Sequence, residues 1–153
     1  MTTLLEDLLR QDPQFPDVLL KPLLAYLLTA REVAGGDLDL NIILLVVAIR
    51  TIEHPDFRGM SDAERLAASP VFPTLGVNSR SIAESSGIPR ETVRRKVADL
   101  VKRGWLARRG SNLHFTAQAF ADLTPIRAAR EQLAADYYEL IRAEALKLAG
   151  SQT

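Results

Sequence analysis

The sequence predicts a mainly α-helical chain that carries one small β-hairpin. Three observations predict it. Apolar residues recur at helical spacing through most of the 153 residues. Gly87 and Pro89 punctuate two adjacent helical segments, one ending on a residue that tolerates positive φ and one opening on a residue without an N–H. Trp105–Arg108 and Leu113–Thr116 read as short strands around the tip Arg109-Gly110-Ser111-Asn112, where Gly and Asn permit positive φ.

The elements follow in order. Thr3–Arg10 is an amphipathic helix with Leu4, Leu5, Leu8 and Leu9 on one side, broken by Asp12-Pro13. Pro16–Val33 is a second helix, starting or bending at Pro22, and its leucines cover enough of the circumference to expect burial on two sides. Gly35-Gly36-Asp37 is a turn. Asp39–His54 is about 16 residues of nearly continuous apolar sequence, too long for a strand, with Asp39 or Asn41 as the cap. Apolar all round, it needs partners on all sides, as a central core helix or at a dimer interface. Pro55 terminates it, leaving His54 at a helix end where positive charge is favoured. Ser61–Ser69 is a short capped helix and Pro70–Gly76 a loop.

The stretch Asn78–Thr116 organises the rest. Ser79 caps a helix that turns Ile82 and Ala83 inward, and Ile88 anchors the turn after Gly87. Val93, Val97, Leu100 and Gly104 form the inward stripe of the next helix, with Trp105 and Leu106 just beyond. Glu91, Arg94, Arg95, Ala98 and Lys102 lie on the opposite side. After the hairpin come a short helix, Ala117–Leu123, and a capped helix from Thr124-Pro125 to about Leu148. Its apolar side is Ile126, Leu133, Tyr137, Leu140, Ile141, Ala145 and Leu148, partly heptad-like and suited to dimerisation. The expected regions are a helical segment 1–77, the helix-turn-helix with hairpin 78–116, and a C-terminal helical segment 117–153.

Charge directs the functional reading. The formal net charge is zero, which hides an asymmetry. Between Asn78 and Gly110 stand Arg80, Arg90, Arg94, Arg95, Lys96, Lys102, Arg103, Arg108 and Arg109 against only Glu84, Glu91 and Asp99, so this stretch is +6 and the remainder −6. A basic run that coincides with an outward helix face and a hairpin reads as a nucleic-acid surface. Other chemistry is missing. With no cysteine and two distant histidines, His54 and His114, neither a disulfide nor a metal site is expected. There is no Walker loop or dinucleotide fingerprint, and Ser85-Ser86-Gly87 lacks a nearby histidine and acid. Glu131, Asp136 and Glu139 read as a solvated helix face. No enzyme activity and no cofactor are expected. Glu6 and Asp7 argue against a signal peptide, and the longest apolar run, Ile42–Ile49, is too short to span a bilayer, so a cytoplasmic protein is expected.

The run SRSIAESSGIPRETVRRKVADLVKRGWL resembles the winged helix-turn-helix of bacterial transcription regulators, most nearly the GntR type. The arrangement of helices before and after it is closer to the MarR type. The resemblance implies a homodimer on double-stranded DNA, its operator pseudo-palindromic, with residues of about 89–103 in the major groove and the wing, about 105–116, on the minor groove or backbone. It also implies contacts residue by residue. Arg80 matches a DNA-contacting arginine, while Arg90, Glu91, Thr92 and Arg94 match base and phosphate contacts and Arg95 a more variable position. Pro89 stands where the family often has a hydroxyl. Physically, Arg90 and Arg94 reach guanine O6 and N7 with a bidentate fork, and Glu91 accepts from a cytosine amino group or complements the helix dipole. Thr92 and the backbone N–H groups near Ser79 suit phosphate. Arg108 and Arg109 place charge on the wing. The alternative is an adaptor whose basic face binds an acidic protein. A small-molecule effector is compatible with either.

Overall fold

The computed structural model describes residues 4–67 and 71–150. It is mainly helical with one two-stranded antiparallel sheet. In chain order the elements are α1 (Leu4–Gln11), a 3-10 turn (Phe15–Leu19), α2 (Leu20–Val33), α3 (Leu38–Ile52), α4 (Pro55–Arg58) and α5 (Asp62–Ala67). Then follow α6 (Ser79–Ser86), α7 (Arg90–Lys102), β1 (Leu106–Arg109), β2 (Asn112–Phe115), α8 (Ala117–Asp122) and α9 (Thr124–Gly150). The chain gathers into two units, one of residues up to Glu32 together with those from Pro125 onward, the other Val33–Thr124. The start of the expected first helix at Thr3 and the end of the expected Ser61–Ser69 helix lie outside the described residues.

The first unit contains α1, the 3-10 turn, α2 and α9. α2 starts at Leu20, so Pro22 does not start it but sits in its first turn, where a missing N–H costs nothing. The expected burial of this helix on two sides is not found. Ala30 is buried, but Leu20, Leu24, Leu27 and Leu28 all face solvent. No residue of α9 is fully buried, and Ile126, Leu133, Tyr137, Leu140, Ile141, Ala145 and Leu148 form a half-buried stripe along it.

The second unit is built on α3. Asp37 caps it, accepting from the Leu40 N–H at 3.0 Å, in place of the expected Asp39 or Asn41. Leu40, Ile43, Leu44, Val47 and Thr51 are buried, and the Thr51 hydroxyl is satisfied by the Val47 carbonyl at 3.1 Å. Leu38, Leu45, Ile49 and Ile52 are exposed, so α3 is covered on one side only. His54 lies just past the end of α3, as expected, its N–H donating to the Thr51 carbonyl at 3.1 Å. It stands at the N-cap of α4, its Nδ1 accepting from the Asp56 N–H at 3.2 Å.

The core that holds α6 and α7 is the expected one. Ile82, Val93, Val97 and Leu100 are buried together with Leu106 and Leu113 of the hairpin; burying each such side chain stabilises by about 1.5–3 kcal/mol. Gly104 is not part of the inward stripe. It lies beyond the helix at φ +77°, letting the Trp105 N–H reach back to the Leu100 carbonyl and its own N–H reach Val101.

The hairpin is anchored from behind. Leu106 pairs with Phe115 and Arg109 with Asn112, so the tip is Gly110-Ser111, one residue tighter at each side than expected. Phe72 N–H donates to the Phe115 carbonyl, and the His114 Nδ1 lies 2.8 Å from the Phe72 carbonyl, where it donates. Phe72 in turn meets the rings of Phe57 and Phe120 edge-on, at 5.2 Å and 5.8 Å. The Thr116 hydroxyl caps α8 and donates to the Gly104 carbonyl at 2.6 Å, and Trp105 Nε1 donates to Asp122. These bonds tie the base of the hairpin to the end of α7.

Candidate nucleic-acid interface

Two helix starts meet at this site, and the sequence explains how each is finished. Asn78 caps α6 with a reciprocal box: its Oδ1 accepts from Ser81 N–H at 2.9 Å while Ser81 Oγ accepts from Asn78 N–H at 3.0 Å. Ser79, the expected cap, is therefore the first helical residue. Its hydroxyl is buried and, among the described residues, has no partner. Gly87 ends α6 at φ +73° and Ile88 is buried in the turn. Pro89 occupies the N-cap of α7 and supplies no side-chain acceptor. The N–H groups of the first turn of α7 thus remain available to an anion.

Ser79 and Arg80 of α6, Arg90, Glu91 and Arg94 of α7, and Arg108 of β1 line one open cleft of about 480 Å³. Six of the nine expected contact residues converge there. Thr92 is half-buried on α7, while Arg95 and Arg109 are exposed and do not line the cleft.

The cations fall into two groups. Arg94 is forked onto Glu91, with contacts of 2.9 Å and 2.7 Å, and Arg80 lies 2.8 Å from Glu84. These bonds hold the two guanidiniums above their ordinary pKa and the Glu91 carboxyl below its own. Glu91 is thus engaged with Arg94 rather than presented alone. Lys96, counted in the charge of the basic stretch, pairs with Asp37 in a part-buried contact and is not available to the cleft. Arg103 pairs with Asp99 at 2.9 Å and stacks over Trp105. Arg90, Arg95, Lys102, Arg108 and Arg109 are exposed, and among the described residues they have no ion-pair partner.

The Arg80–Glu84 and Arg94–Glu91 pairs stand at i,i+4 and i,i+3 along one helix, a spacing the sequence carries although neither pair was expected from it. The Lys96–Asp37 pair has no such spacing, because its partners are far apart in sequence and meet only through the packing of α7 on α3. Among the described residues there is no group of histidines and carboxylates able to hold a metal ion, and no helix is long and apolar enough to cross a membrane. Comparison with protein families, curated proteins and solved structures returned no match.

Proposed function

We propose that the chain is a winged helix-turn-helix regulator of transcription that binds double-stranded DNA as a homodimer on a pseudo-palindromic operator. On this reading α7 enters the major groove, the β1–β2 hairpin is the wing, and the chain works by binding rather than catalysis, in the cytoplasm. One observation carries the proposal. Four arginines from three elements, Arg80, Arg90, Arg94 and Arg108, line a single cleft at the start of α7. That helix is packed by Val93, Val97 and Leu100 on its opposite side. A helix held by an apolar stripe with its N-terminal arginines outward meets base edges, while the free N–H groups suit phosphate.

The test is a titration of labelled duplex, random and selected, over a salt series. Random duplex should bind at low salt, and a subset recovered by selection should bind at least 100-fold more tightly. Failure to bind any duplex at low salt, with capture of an acidic protein through the same arginines, would turn the reading to an adaptor.

A further inference from the structure

We infer that the outward face of α2 is the surface on which two copies of this chain pair, antiparallel and centred on Leu24. The inference deepens the homodimeric part of the proposed function and does not depend on DNA.

The helix has two unlike sides. Pro22, Leu23, Tyr26, Thr29, Ala30 and Val33 are half-buried or buried. On the other side Leu20, Leu24, Leu27 and Leu28 are 60%, 56%, 44% and 53% exposed. They recur at steps of four, three and one, so they form one strip. Isolated exposed leucines are ordinary, but a contiguous strip marks an interaction surface. The unit to which α2 belongs also lacks an interior of its own: among its described residues only Leu8, Phe15 and Ala30 are buried. A unit of roughly 60 residues is marginal even with a full core.

Charge identifies the occupant as a second copy and fixes its direction. Asp17 lies in the 3-10 turn that runs on into α2 with helical backbone, seven residues before Leu24, and Arg31 lies seven residues after it. Both side chains are exposed, and among the described residues neither has an ion-pair partner. With Leu24 on a two-fold axis in an antiparallel pair, Leu20 faces Leu28 of the second copy and Asp17 faces its Arg31. The flanking Lys21 lays its stem along Leu27 of the second copy. A parallel pair would set Asp17 on Asp17 and Arg31 on Arg31, with like charges repelling at both ends. The strip is thus self-complementary in one direction only, as an isologous interface requires.

Sedimentation equilibrium of the full chain without DNA, from below micromolar to tens of micromolar, tests this. The wild type should be a dimer. Leu24→Glu should raise the dissociation constant by roughly 100-fold or more. Asp17→Arg should weaken pairing about tenfold, and adding Arg31→Asp should restore it. Restoration by the double exchange cannot come from misfolding, and both sites are exposed. A dimer indifferent to Leu24→Glu, or a double exchange no stronger than Asp17→Arg, overturns the assignment of this face and leaves the homodimer and the DNA reading standing. A monomeric wild type removes the homodimer as well. Partition of the monomer onto anionic vesicles would give the strip to a lipid surface and overturn the proposal.

Discussion

At the scale of single residues, Glu91 sets what Arg94 offers. The carboxylate holds the guanidinium by two bonds, so a base must compete with Glu91 for the same donors. Glu91→Gln removes the competing charge and one repulsion against phosphate. It should strengthen binding to random duplex, steepen the salt slope by about one per subunit, and narrow the ratio between operator and random DNA. Arg94→Ala and Arg109→Ala should fail differently. Loss of Arg94 should weaken operator binding roughly 10- to 100-fold and relax preference at one base pair. Loss of Arg109, at the end of β1, should weaken operator and random duplex about equally and lower the salt slope by about one per subunit. Titrations of each variant on both duplexes read these outcomes. If Arg94→Ala weakens both duplexes alike, α7 is not the reading helix. The sequence placed Glu91 and Arg94 outward correctly, because the spacing of Val93, Val97 and Leu100 fixes the opposite face of α7. It gave Lys96 no partner, because Asp37 is brought near only by the fold.

At the scale of elements, two substitutions separate backbone geometry from capping. Gly87 takes φ +73° with open space where a Cβ would stand, so Gly87→Ala meets no clash and carries only the left-handed penalty of about 1–2 kcal/mol. Chemical denaturation should show that loss with α7 intact once folded. Asp37→Ala removes the cap of α3 and should cost about 1 kcal/mol. Asp37 is more than a cap. Burial alone would raise its pKa, but the bond from Lys96, the Leu40 N–H, and the charges of Lys96 and Arg103 outweigh it and bring the group below its ordinary value. The stability this group confers is therefore complete above the ordinary carboxylate range and is lost as pH falls through the lowered value. Wild type should lose stability more steeply than Asp37→Ala on acidification below about pH 4, and parallel curves would deny the pair that role. The longer helices were legible because their apolar periods are strong. Caps were less so, since Asp37, Asp39 and Asn41 are all competent and only the backbone decides among them. The same holds for Asn78 and Ser79, where the reciprocal bond with Ser81 favours Asn78. The short helix α4 was missed because Pro55, taken as a terminator, also suits a first turn after a cap.

At the scale of the whole molecule, the charge asymmetry survives folding in reduced form. Arg80, Arg94, Lys96 and Arg103 are partnered within the chain, and Arg90, Arg95, Lys102, Arg108 and Arg109 have no ion-pair partner among the described residues, which leaves them to meet an external anion. Which apolar helices need a second copy was not legible, because α2 and α3 both carry apolar residues around much of their circumference. Periodicity cannot say which side another element covers. On the proposed function, the cleft at the start of α7 binds DNA with release of counterions. The measurement that tests it most directly is fluorescence anisotropy of a labelled duplex titrated with wild type and with Arg90→Ala/Arg108→Ala at salt from about 50 to 300 mM. Each phosphate neutralised contributes about −0.9 to the log–log slope, so the wild-type dimer should give about −5 or steeper, and the double variant should be flatter by about two per subunit. A wild-type affinity that does not change with salt, or a double variant that binds as tightly and with the same slope, would contradict it.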